Sequence, residues 1–147
     1  MLTLFRYLHV VSMASWLGAS LWLAGDARRS LSAGPEATRA FLQRALASLK
    51  VDRWAGVATL ITGAALIHFT KVWPALPMAL VVGMALGVAR AGLTDGLLFP
   101  TVRKLAARLE AGESPATLLP VAGRLAMLSG IGHLVWLGAL AGMIAAT

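Results

Sequence analysis

The 147-residue sequence has no cysteine, a single tyrosine, and only six acidic residues against thirteen basic ones. Without cysteine, neither a disulfide framework nor a thiolate metal site can form. Charge of either sign is scarce, at 13% of the chain, where ordinary soluble domains carry roughly a quarter. A surface in water could not be covered with so little. The sequence also lacks a phosphate-cradling glycine loop, a hydrolytic triad and any run of clustered acidic metal ligands. The net charge of +7 would suit a nucleic-acid partner. The basic residues, however, gather in two clusters between long apolar runs, so a nucleic-acid partner is not expected.

What is present in quantity is apolar. Such residues make up 59% of the chain, and mean hydropathy is +0.78. Four runs stand out, at about 4–25, 54–73, 75–99 and 118–146. Each approaches or exceeds the ~20 residues that cross a ~30 Å hydrocarbon core as a helix. Helix is the only conformation that satisfies their backbones without water. The expected fold is therefore all-α: a single integral membrane domain over 1–147, built as an antiparallel four-helix bundle. Lys71 and the WPALP segment (Trp73 to Pro77) separate the second run from the third. Arg28, Arg29, Arg39, Arg44, Lys50 and Arg53 follow the first run, and Arg103, Lys104 and Arg108 follow the third. The positive-inside bias puts both of these loops in the cytoplasm and both termini outward, in a bacterial inner membrane. The same charge order speaks against a cleaved signal peptide, whose basic residues precede its apolar region.

Two loop segments read as helices. From Gly34-Pro35, a suitable helix start, the sequence sets Phe41, Leu42, Ala45, Leu46 and Leu49 on one face. This predicts an amphipathic cytoplasmic helix between the first two spans, lying on the lipid surface or extending the second span. TVRKLAARLEAGES reads as an extension of the third span, ending near Gly112. Small residues recur at packing distance, as Gly83 and Gly87, Gly138 and Gly142, Ala126 and Gly130. They serve internal packing or a homodimer seam equally well.

All three histidines fall inside expected spans. Ionisable groups at membrane depth are expensive and mark function. At ~1.5 Å per residue, His9 lies roughly 10 Å below the outer end of the first span. His68 is at a similar level on the second, and His133 is nearer mid-membrane. Neutral imidazole is the commonest metal ligand, and haem iron takes histidine, sometimes with methionine. The three are thus candidate metal ligands: His9, His68 and His133. The face of His9 also carries Met13, Trp16 and Ser20, where Trp16 can pack on a flat macrocycle and Ser12 can orient the imidazole. Hydrogen bonding across the bundle is the other use for buried histidines. Arg90 has two readings, neutralisation within a cluster with Asp95 and Arg124, or recognition of porphyrin carboxylates. Arg6 and Lys71 read as interfacial snorkelling residues.

LHVVSMASWLG, a His-x6-Trp-x-Gly pattern on the first span, resembles the opening of the HemJ-type membrane protoporphyrinogen oxidases. VRKLAARLEAGES after the third span resembles the corresponding segment there, and length and span number agree. Related openings occur in CopD-like four-helix copper proteins. The HemJ resemblance implies haem b held through His9 and oxidation of protoporphyrinogen IX to protoporphyrin IX; Met13, Trp16 and Arg90, from their own placement and chemistry, are the further candidate cofactor-binding residues. An oxidoreductase that exchanges electrons with a porphyrin substrate or with quinone is the leading expectation. A CopD-like copper-handling protein and a noncatalytic membrane assembly subunit are the alternatives.

Overall fold

The computed structural model describes residues 1–70 and 72–146. Among them every regular element is helical. Lys71 and Thr147 lie outside the described residues, and with them the expected part of Lys71 in the turn and at the interface. Six α-helices follow one another: α1 (Leu2–Ser20), α2 (Leu23–Ala33), α3 (Pro35–Thr70), α4 (Met78–Leu93), α5 (Phe99–Glu110) and α6 (Pro115–Ile144). A π-helical segment, Thr94–Leu98, joins α4 to α5 without a break, and a short 3-10 turn, Trp73–Ala75, precedes α4.

Three helical stretches are long and apolar enough to cross a membrane: Leu2–Ala33, Met78–Glu110 and Pro115–Ile144. The second expected span falls in the C-terminal half of α3. The described part of that run after Arg53, residues 54–70, is shorter than each of the other three stretches.

The basic segment after α1 is helical almost throughout. Leu21 and Trp22, both with helical dihedrals, carry α1 on into α2. Gly34, at φ 112°, supplies the left-handed residue that ends α2. Pro35 then opens α3, as its fixed φ allows at a first helical position. The amphipathic segment is therefore not a separate helix but the first half of α3. Its apolar face does not rest on lipid. Phe41, Leu42, Ala45 and Leu49 are buried against α2, α5 and α6, with Leu46 packed at the edge. The main core of the molecule lies here, in the basic half, and includes Leu23, Leu31, Val102, Leu105, Leu118 and Leu125.

The apolar half is held together differently. Lipid tails are as apolar as leucine, so helices there associate through close backbone approach and interhelical hydrogen bonds. Along α1 and α3, His9 lies against Gly63, Ser12 bonds Thr59, and Trp16 lies against Gly56, so the two helices run in opposite directions. Between α4 and α6 the approach is closer still. A Cβ at Gly142 would stand 2.7 Å from the Ala79 carbonyl oxygen, and one at Gly83 would stand 2.9 Å from that of Ala139. Two of the small-residue pairs read from sequence thus pack inside the molecule. At the far end of α5, Arg108 grips Glu113 with two hydrogen bonds of 2.8 and 2.6 Å, which hold its carboxyl below the ordinary value of 4.5.

Gly142→Ala must push α4 and α6 apart and should cost about 1–3 kcal/mol, as overpacking does. Gly18→Ala, with nothing within 4 Å of the new methyl group, should leave stability unchanged or raise it by up to about 1 kcal/mol. Unfolding in mixed micelles compares the two directly.

Candidate functional site

The seam between α1 and α3 opens on one side into a half-open cavity of about 490 Å³. Its walls come from α1 (His9, Met13, Trp16), α3 (Thr59, Gly63, Ile67), α4 (Met84, Gly87) and α6 (Trp136, Met143). The volume lies within the roughly 300–1,000 Å³ of small-molecule sites. The lining is almost wholly apolar, with His9, Thr59 and Thr70 as its polar exceptions.

His9 is fixed by its neighbours. Its Nδ1 stands 2.9 Å from the Thr62 hydroxyl. That hydroxyl already donates its hydrogen to the Ala58 carbonyl at 2.7 Å. It can therefore only accept from His9, so Nδ1 carries the ring proton and Nε2 keeps a free lone pair. Metal-binding histidines are oriented in this way, by a hydrogen bond from the nitrogen that does not ligate. Ser12, named from sequence as the orienting group, spends its hydroxyl on the His9 carbonyl oxygen at 3.0 Å, and Thr62 orients the ring instead.

Methionine placement follows the chamber. Met1, Met78 and Met127 are 93%, 75% and 57% exposed, while Met13, Met84 and Met143 are partly buried and all line the cavity. The sequence shows no methionine cluster, but three helices bring these side chains to one space.

Below the chamber floor, formed by Trp16 and Trp136, lies a buried polar cluster. Arg90 and Asp52 are 2% and 0% exposed and pair at 2.8 and 3.3 Å. Arg90 also donates to Ser20 at 2.9 Å and to Thr94, and Thr94 donates to Asp52 at 2.8 Å. The guanidinium carbon sits 5.7 Å from the Trp16 ring. Arg90 Nε lacks a partner among the described residues and packs against Gly132, where a Cβ would stand 3.1 Å away. The cluster draws on α1, α3, α4 and α6.

The residues singled out from sequence are thus dispersed. His9, Met13 and Trp16 come together on the chamber wall. His68 is exposed, edge-on to Phe69, because it is five positions beyond Gly63 and points away from the α1-facing side. His133 reaches Ser20 at 3.5 Å. Ser20 is eleven residues from His9 along α1, or roughly 16 Å, so His9 and His133 cannot hold one metal ion. Among the described residues no three His, Asp or Glu side chains converge. Arg90 does not line the chamber, and its expected partners are elsewhere. Asp95 pairs with Arg53 at 2.7 Å, and Arg124 is exposed. Position 95 is off the face of Arg90, whereas Thr94, four residues on, shares it. Asp52, the true partner, was missed. Comparison with family models, with curated proteins and with solved structures finds no match to this chain.

Asp52→Asn would leave a buried guanidinium without its counter-charge and should cost about 3–5 kcal/mol, whereas replacing both partners in Asp52→Leu/Arg90→Met should recover much of that loss. Chemical unfolding of the three proteins in detergent measures the difference.

Proposed function

We propose that the protein is a haem b-binding redox protein of the bacterial inner membrane, an antiparallel four-helix bundle with both termini outward. In this reading it oxidises protoporphyrinogen IX to protoporphyrin IX, as its resemblance to the HemJ-type enzymes implies, or exchanges electrons with quinone. The observation that carries the reading is His9, with Nδ1 tied to Thr62 and Nε2 left free, on the wall of a chamber too large for a bare ion.

The fit is good on the metal side. Trp16 and Trp136 would pack on a flat group, and His9 with Met13, Met84 or Met143 would hold its iron. It is poorer on the carboxylate side. Arg90 is engaged by Asp52, and no lysine or arginine among the described residues lines the chamber. Bound haem would supply one-electron chemistry. The chain holds the imidazole, excludes water with its apolar walls, and keeps the Asp52–Arg90 charges beneath Trp16.

A second reading rests on the methionines. Three thioethers and one imidazole around a common space are donors suited to Cu(I), which supports a CopD-like copper-handling role.

Protein isolated in mild detergent should show a Soret band that His9→Ala abolishes and Thr62→Val weakens. A colourless wild type that takes up no added haem removes the leading reading. Copper retained without porphyrin would support the second.

A further inference from the structure

A second cavity, of about 480 Å³, opens at the basic end and is lined by Arg53, Asp95, Phe99, Pro100 and Arg103. Arg53 is held there from two sides. Its Nε donates to Asp95 at 2.7 Å, and its guanidinium carbon lies 4.9 Å from the centre of the Phe99 ring. Among the described residues neither of its terminal nitrogens has a partner. Arg103, one turn beyond Phe99 on α5, is exposed and likewise has no partner among the described residues. Two guanidinium groups and one carboxylate leave the notch with one net positive charge.

We propose that this notch binds the phosphate headgroup of an anionic phospholipid, independently of what occupies the chamber. A phosphodiester carries one negative charge, matching the surplus of the notch, and planar guanidinium forks suit its paired oxygens. Depth agrees. Arg53 immediately precedes Trp54, which is 70% exposed and opens the apolar half of α3, as an interfacial aromatic does. An acyl chain also has a track. Val57 and Ile61 follow Arg53 on the same face of α3 and are both exposed. This continuity favours a lipid over free phosphate.

A matched comparison is built into the molecule. Arg44 pairs with Asp26 at 2.7 Å and lies 5.7 Å from the Trp22 ring centre, and Arg29, which has no partner among the described residues, lies beside it in a cavity of about 370 Å³. The chemistry is the same, but Arg44 precedes Arg53 by nine residues on one helix, roughly 13 Å further from the apolar half. It should lie beyond the headgroups.

Native mass spectrometry of the full chain, released from mild detergent with phosphatidylglycerol or phosphatidylcholine, tests the site. Wild type should retain one phosphatidylglycerol in preference to phosphatidylcholine. Arg103→Gln, which breaks no contact, should weaken retention about fivefold, and Arg53→Gln/Arg103→Gln further, at about one basic residue's worth each. Arg29→Gln should change nothing. Equal retention of the two lipids, an equal loss in Arg29→Gln, or full displacement of the lipid by millimolar inorganic phosphate would each overturn the proposal, the last assigning the notch to free phosphate.

Discussion

The arrangement of the helices depends on one buried ion pair. Arg90 sits in an apolar run where a lone cation would be costly, and only a carboxylate at the same depth can neutralise it. Asp52 does so, and Ser20 and Thr94 accept from the terminal guanidinium nitrogens while Nε stays without a partner among the described residues. Such pairs contribute little net stability compared with apolar side chains of the same size. Their effect is on specificity. A slip of α3 against α4 by one turn would separate the charges, so the pair favours one register, and with it the position of Trp16 above Arg90.

That constraint divides the molecule into two halves with different physics. On the basic side, leucine, valine and phenylalanine from α2, α3, α5 and α6 form a dense core of the kind water drives together. On the apolar side that force is absent, and packing relies on glycine contacts and on hydroxyls such as Thr59 donating to Ser12. A half without strong compaction can keep a chamber open, and the dense half holds the helix ends that frame it. The chamber and the ion pair share Trp16 as a common wall.

The helical class, the three strongest spans, the helix start at Pro35 and a packing role for Gly83 and Gly142 were legible in the sequence, because each follows from hydropathy, proline geometry or residue size alone, whereas residue size left open whether the glycines pack inside the molecule or at a dimer seam. His9, Met13 and Trp16 were legible as a group because helical spacing places them on one face. The rest required tertiary information. Which face of α3 meets α1 decides that His68 is excluded and Thr62 included, and no local pattern carries it. Asp52 was overlooked because it stands among basic residues, where it reads as part of a solvated segment. A signal was available. With only six acidic residues in the chain, a buried Arg90 had few possible partners, and Asp52 is the one bordering the apolar half of α3. The methionine grouping was hidden because its members come from three helices.

The π segment between α4 and α5 has a consequence for how far one helix face can be used. Gly83, Gly87, Arg90, Thr94, Leu98, Val102, Leu105 and Leu109 are all buried, and the last stands twenty-six positions beyond the first. Seven turns of regular α-helix take up about 25.2 residues. The wide turn absorbs the surplus residue, so that a single rod of helix keeps the same side inward from the chamber to the basic core. Losing one residue from Thr94–Leu98 would leave about 25 steps for the same seven turns, which a regular α-helix accommodates, whereas gaining one would turn everything beyond it by about 100° and swing Val102, Leu105 and Leu109 out of the interior.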